Sequence, residues 1–298
     1  MVLLQSIRFL ACFITSISFL SPTQAIPIVK SDLISPRVSG GKRIILWEWT
    51  LTQDLQLQKL PQLLTAITTL SSSSVITSIT NWETWRPTEL PKKLKFRPMV
   101  RTKQHLSGEN WNNLLSVAKS QKNTIVHFFN EPERNGIDAT DAANIWKQNM
   151  VPLRKQYNIK LVAPGCASSQ QGSQWLDTFM KQLGKDEQPD YLNLHFYTTD
   201  GNPVDQEIQS GKTYLSGRHD TYKLPVIVGE IASTSRNAND VDKFSKDLAQ
   251  WLDSQNWVVE YGLYGVSCDV SDSFVSPVAQ LLDSNGAWTA LGRWWIGE

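Results

Sequence analysis

Two glutamates stand at the ends of apolar, strand-like runs. Glu131 follows residues 124–129 (TIVHFF) in Asn130-Glu131-Pro132-Glu133, and Glu230 follows residues 225–229 (PVIVG). Two converging carboxylates are the minimum equipment for cleaving a glycosidic bond. One, protonated, gives its proton to the leaving oxygen; the other, ionised, attacks the anomeric carbon or activates water. Like charges held close raise the proton affinity of one of them, which supplies the acid. Alternation places Ile125, His127, Phe129 and Glu131 on one side of their run, and Val226, Val228 and Glu230 on one side of theirs. If those sides face a common axis, the two carboxylates meet above it. Taken singly, Asn-Glu-Pro also suits a helix start and Glu230 a solvated strand end. The pair, on matching strands, points to catalysis.

Aromatic residues gather at the same strand ends. Trp47 and Trp49 share a face of the first run, Trp82 and Trp85 follow the second, and His195 and Tyr197 share a face at the end of the sixth. Sugar rings present flat C–H faces, for which aromatic rings are good platforms. Trp146, Trp175 and Trp251 sit in helical patterns and are assigned to the core. Other chemistries fit less well. His105, His127, His195 and His219 show no metal-ligand spacing. Gly265-Val266-Ser267-Cys268-Asp269 fails as a nucleophile elbow at its last position, and Cys166, with no base marked beside it, reads as a buried thiol. No glycine-rich phosphate loop occurs, so no metal and no cofactor are expected.

The elements that must position these residues alternate along the chain. Strand candidates cover 43–49, 75–81, 96–101, 124–129, 160–163, 191–196, 225–229 and 258–264. Helical patterns cover 55–70, 112–120, 139–156, 174–183, 204–215 and 241–254. Pro152 is expected to bend or end the third helix, and Asp240 to cap the last. Eight strands with intervening helices predict an α/β fold, the (β/α)8 TIM barrel, whose sites lie at the C-terminal ends of the strands. A doubly wound open sheet is the runner-up; no dinucleotide fingerprint follows the first strand.

The chain has 298 residues, 41% of them hydrophobic, with 29 basic and 28 acidic side chains and a formal net charge of +1. That composition excludes a mostly disordered chain and gives no field for a nucleic-acid backbone. Residues 1–25 read as a signal peptide: Arg8, the apolar run 9–20, then Thr23 and Ala25 before a plausible cut. The run is shorter than the roughly 20 apolar residues a membrane span needs. Residues 26–298 read as one domain, secreted to the extracellular space or cell wall, monomeric and without stable membrane association. Cys166 and Cys268 follow strands well apart around a barrel, so no bond between them is expected.

The ordered series of motifs resembles glycoside hydrolase family 128. The matching pieces are Leu46-Trp47-Glu48-Trp49, Asn81-Trp82, Phe129-Asn130-Glu131-Pro132-Glu133, Ala163-Pro164-Gly165, Leu194-His195-Phe196-Tyr197 and Gly229-Glu230-Ile231-Ala232. The ending, Leu281-Leu282-Asp283 through Thr289-Ala290-Leu291-Gly292, also matches. The resemblance implies a (β/α)8 barrel acting on β-1,3-glucan by retaining double displacement, with Glu131 as general acid/base and Glu230 as nucleophile. It implies that Asn130 binds the sugar 2-OH and that His195 and Tyr197 line the site. Trp47, Trp49 and Trp82 would be sugar platforms, and Tyr264, at the end of the eighth strand, is a further expected substrate-binding residue. The family's seventh strand usually reads Thr-Glu-aromatic, where this chain has Gly229-Glu230-Ile231. Its eighth commonly ends Trp-Phe, where this chain has Leu263-Tyr264. Three readings stand: a β-1,3-glucanase, a β-1,3-glucan-binding wall protein with weak or no catalysis, and a barrel acting on another β-linked polysaccharide. Retention predicts carboxyl groups about 5–5.5 Å apart.

Overall fold

The short apolar runs form one parallel sheet whose strands are buried on both faces, as a sheet flanked by helices requires. The computed structural model describes residues 41–47, 60–88, 90–267 and 274–298. The strands are β1 (Arg43–Trp47), β2 (Ile76–Thr80), β3 (Lys95–Phe96), β4 (Met99–Val100), β5 (Ile125–Asn130), β6 (Lys160–Cys166), β7 (Tyr191–Tyr197), β8 (Val226–Ala232) and β9 (Val258–Val266). They lie in the order β3-β2-β1-β9-β8-β7-β6-β5-β4, all parallel. The two ends of that order, β3 and β4, are halves of the expected third strand. Between them stand Arg97 and Pro98. Arg97 N donates to Ile79 O of β2 (2.9 Å), while Pro98 O accepts from His127 N of β5 (2.9 Å). One broken strand thus joins both edges and closes the α/β barrel. Pro98 has no N–H to extend either ladder, which accounts for the break.

The helices are α1 (Leu60–Thr69), α2 (Gly108–Ser120), α3 (Ala139–Ile145), α4 (Val151–Tyr157), α5 (Gln170–Lys181), α6 (Val204–Tyr222), α7 (Ala238–Ser254) and α8 (Ala290–Ile296). Two sequence expectations are corrected. Of the bend or end expected at Pro152, the end does not occur: helical backbone runs on through it to Tyr157. The preceding segment Trp146–Met150 is π-helical, with Val151 N donating to Trp146 O, so Pro152 sits at the start of a new turn where its missing N–H costs nothing. The last long helix is capped by Asn237, whose side chain accepts from Asn239 N, and not by Asp240. The described residues fall in one unit, Val38–Glu298, and none of their helices is long and apolar enough to cross a membrane. The expected leader at 1–25, Trp49 and Cys268 lie outside the described residues.

Ile45, Trp47, Phe128, Leu161, Leu194, Val226 and Val228 pack outward against Leu176, Phe179, Leu248 and Leu252 of the helices, forming the main core. The barrel interior differs. Ile44, Leu46, Trp82 and Met99 cluster with Tyr264, and Ile125, Val162 and Ile227 cluster with Tyr191 and Val259. The interior also holds an ion pair: Arg97 is 1% exposed and Glu260 0%. Arg97 Nε donates to Glu260 Oε2 at 2.9 Å, and Arg97 Nη2 pairs with Oε1. His127 is also buried, and that burial pushes its imidazole down to about 3, so it is neutral. Removing one partner of a buried pair leaves the other charge uncompensated. Glu260→Gln is expected to lower the unfolding free energy in urea by about 3–5 kcal/mol, and joint replacement by Arg97→Met and Glu260→Leu to recover most of the loss. Equal losses in the single and double variants would contradict a pair held by mutual charge compensation.

Candidate active site

The carboxylates reach the barrel mouth by irregular backbone and not by simple alternation. Phe129 was expected on the same side as Glu131, but it is fully buried in the outer core and stacked on Phe128, with ring centroids 3.9 Å apart. Val226 and Val228 also face outward while Ile227 faces inward. The pairing of β5 with β6 shifts register between His127 and Phe128 and again between Phe128 and Asn130, and that of β7 with β8 between Leu194 and His195. Each shift turns the following side chain to the other face. Phe129 and Glu131 adopt left-handed φ values of 39° and 40°, and Trp82, after β2, of 59°. Such backbone costs on the order of 1 kcal/mol per residue and collects at functional sites. Here it is held by Glu131 N donating to Gly165 O (2.7 Å) and Asn130 N to Arg101 O (3.1 Å). Asn135 Nδ2 binds the carbonyls of both Asn130 and Glu131. Glu133 turns back and accepts from Ala167 N at 2.8 Å, tying this turn to the end of β6.

His195 lies between the two acids. Its Nδ1 is 3.2 Å from Glu131 Oε1 and 3.4 Å from Glu230 Oε2. Trp82 Nε1 donates to Glu230 Oε1 at 2.8 Å, and the Tyr197 hydroxyl donates to Oε2 at 2.5 Å. Glu131 Oε2 faces Arg134 Nη1 at 3.2 Å. Burial disfavours the charged imidazole, but the Glu230 charge, the Glu131 hydrogen bond and the charges of Glu131 and Glu133 outweigh it and raise the proton affinity of His195. Burial pushes the Glu131 carboxyl up, but the hydrogen bond and charge of His195, with Arg134, hold it below its ordinary value. The resting site therefore biases one shared proton toward the imidazole between two carboxylates. Among the described residues, Glu131, His195 and Glu230 could also converge on a cation, since their ligand atoms lie within 4.8 Å of one another. Trp82, Tyr197 and Arg134 already direct hydrogens at those oxygens, which favours an acid–base role.

Above these groups opens a cavity of about 210 Å³ lined by Trp82, Arg101, Asn130, Glu131, Arg134, Tyr197, Glu230, Tyr264, Phe274 and Val275. Of the residues expected from sequence, Glu131, Glu230, Trp82, Asn130, Tyr197 and Tyr264 meet here, and His195 lies beneath, 1% exposed. Trp47 does not. Ile44 and Leu46 take the inward positions of β1, so Trp47 points outward into the core and is 0% exposed, with no face for a sugar. Four pocket residues, Arg101, Arg134, Phe274 and Val275, escaped the sequence reading. Arg101, held by Glu83 at 3.1 Å, and Arg134 lie in loops where arginine reads as solvated charge. Phe274, 48% exposed, stands beyond the last strand yet its ring lies 5.4 Å from that of Tyr197. Tyr264 meets Trp82 edge-on at 5.7 Å, so an aromatic ring does stand at the end of β9.

The profile of the glycosyl hydrolase catalytic core matches residues 63–295. Among solved structures, a subgroup VI exo-β-1,3-glucanase of glycoside hydrolase family 128 from Aureobasidium namibiae is 38% identical, covering 88% of this chain and 98% of its own, with a TM-score of 0.76. The chain belongs to glycoside hydrolase family 128. A subgroup IV endo-β-1,3-glucanase of this family from Lentinula edodes is 22% identical (86% and 99% covered, TM-score 0.67). A subgroup VII oligosaccharide-binding protein from Cryptococcus neoformans is 18% identical (88% and 94% covered, TM-score 0.63). These two show the shared barrel. No curated protein matches the chain.

This family 128 chain has glycine before Glu230, and the reason lies on the neighbouring strand. A Cβ at Gly229 would stand 2.2 Å from Asn193 Oδ1, and one at Gly165 would stand 2.5 Å from both Asn193 Nδ2 and His195 Nε2. The side chain of Asn193 fills the space that a residue at 229 would use, and the two glycines give Asn193 and His195 room inside the barrel. Gly229→Ala is therefore expected to destabilise the protein by about 1–3 kcal/mol, as overpacking does. In an Asn193→Ala background the same change should cost far less, because all three atoms nearest the added Cβ belong to Asn193. Thermal unfolding of the four proteins measures the coupling; additive losses would exclude this steric pairing.

Proposed function

We propose that this chain is a secreted β-1,3-glucanase that works with retention, Glu131 serving as acid/base and Glu230 as nucleophile. The observation that carries the reading is the pair of carboxylates with oxygens within 4.8 Å, joined through His195 at the floor of an aromatic-walled pocket. Oxygens this near one another support the short carboxyl separation, roughly 5–5.5 Å, on which retaining enzymes rely. The substrate class rests on family membership and on the 38% identical exo-β-1,3-glucanase.

In the first step a Glu230 oxygen bonds to the anomeric carbon as the glycosidic C–O bond breaks. The leaving oxygen takes the bonding electrons and the proton of Glu131. In the second, water attacks the same carbon, gives its proton to Glu131, and Glu230 departs as carboxylate. Trp82 and Tyr197 hold Glu230 with one donor on each oxygen, fixing the nucleophile's orientation. His195 lies 3.2 Å from Glu131 Oε1, so the shared proton reaches the acid by a transfer across one hydrogen bond. Trp82, Tyr264 and Phe274 offer ring faces and edges to the sugar, and Asn130 is placed for a hydroxyl beside the scissile bond.

Incubation with linear β-1,3-linked gluco-oligosaccharides is expected to release new reducing ends of retained configuration. Glu230→Gln should lower kcat by at least about a thousandfold while the variant still binds the oligosaccharide. Binding by the wild-type protein without release would replace the hydrolase reading with that of a glucan-binding protein, and cleavage of cellulose or mannan instead would change the substrate class.

A further inference from the structure

We propose that Arg134 is a positioning residue that pairs with Glu131 in the free protein and is displaced by the sugar bound on the leaving-group side. The inference rests on the hydrolase reading and adds to it how Glu131 changes between its two roles. The pocket is divided in its chemistry. Trp82 and Tyr197 surround Glu230, with Tyr264 and Phe274 packed on them. Asn130 and Arg134 stand beside Glu131, and the Arg101 carbonyl accepts the Asn130 N–H. A general acid touches the departing oxygen, so the groups around it on the side away from the nucleophile face the departing sugar.

The Arg134 ion pair is built to open. Its Nη1 lies 3.2 Å from Glu131 Oε2, but the arginine side chain is 55% exposed while that of Glu131 is 14% exposed. An exposed pair of this kind is weak, and a long arginine can swing aside at small cost. The guanidinium lines the same cavity as the acid it pairs with, so a ring seated against Glu131 competes for its place. The remaining groups facing Glu131 are His195 from β7, Glu230 from β8, Cys166 at the end of β6 and Arg101 across the pocket. Arg101 is held by Glu83, and His195 is 1% exposed between the acids, which leaves Arg134 as the cation free to leave.

The two halves of the reaction need opposite states of Glu131. Bond cleavage needs the protonated acid. Displacing Arg134 removes a cation that favours the carboxylate and so raises the proton affinity of Glu131 when the leaving sugar is in place. Once that sugar departs, the guanidinium returns and favours the carboxylate that takes the proton from water.

The pH dependence of kcat/KM reports the free protein, and that of kcat the complex. Both are measured on linear β-1,3-linked gluco-oligosaccharides for the wild type, Arg134→Gln and Arg134→Lys. Removing a cation makes loss of the acid's proton harder. Arg134→Gln is therefore expected to move the basic limb of kcat/KM upward by about half a pH unit, while the basic limb of kcat stays in place. Arg134→Lys, which keeps the charge, should keep the wild-type profile. Limbs that both move, or that both stay, would overturn the displacement of Arg134. Absence of turnover in the wild type would overturn the hydrolase reading and this inference with it, whereas wild-type turnover with both limbs unmoved removes this inference alone.

Discussion

Two largely buried carboxylates share the floor of one pocket. With oxygens within 4.8 Å, their repulsion is on the order of 3–4 kcal/mol at an effective dielectric constant near 20. Neither has water enough to screen it, since the side chains of Glu131 and Glu230 are only 14% and 8% exposed. The site compensates by placing an imidazole within reach of both and by aiming the Trp82 N–H and Tyr197 O–H at Glu230. The left-handed backbone at Trp82 and Glu131 follows from the same demand, because regular strand ends would not bring these groups to one point. Glycine at 165 and 229 belongs to it as well: His195 must sit deep in the barrel, and a side chain at either position would push it or its neighbour Asn193 away.

The polar barrel interior extends this arrangement downward. Beneath His195 lie Asn193 and a neutral His127, and then the buried Arg97–Glu260 pair. A purely apolar filling would bury as well or better, since a buried ion pair often contributes no more than well-packed hydrophobic groups. What the pair supplies is a fixed link across the barrel, from the broken third strand to β9. That strand is the seam at which the sheet closes. Its β3 half bonds to β2 and its β4 half to β5, so a charged tie at the break holds the ring where the backbone ladder is interrupted.

The apolar runs marked nearly all the strands, because parallel strands buried on both faces need such runs and little else does. The same property hid which face is which. With Ile44, Ile45, Leu46 and Trp47 all apolar, alternation does not say whether the odd or even residues face the axis, and Trp47 proved to be outside. Alternation also fails across a register shift, which is why Phe129, Val226 and Val228 were expected on the wrong side although both glutamates were correctly placed at the barrel mouth. Arg101 and Phe274 carry no local signature. Their places depend on how loops fold over the strand ends, and that is a tertiary property. The one available signal was at Arg134, three residues beyond Glu131 in a turn, where a cation can reach back to the acid.

A pocket of this composition can bind a glucan whether or not it cuts it. Platforms and hydroxyl partners serve both purposes, and a pair of carboxylates serves both as well. In the mechanism proposed above, cleavage differs from binding in the position of one proton. In the free site Arg134 and His195 both favour the ionised Glu131 carboxyl, a form suited to accepting from sugar hydroxyls, and the neighbouring carboxylates favour the proton on His195. In the proposed retaining mechanism, moving that proton by one hydrogen bond makes Glu131 an acid beside Glu230. On the proposal that Arg134 yields to the leaving sugar, the ring on that side does more than fill space: by excluding a cation from Glu131 it favours the state in which the bond can break. Residues outside the motif, on the turn that follows it, then decide how readily a shared architecture turns over its ligand.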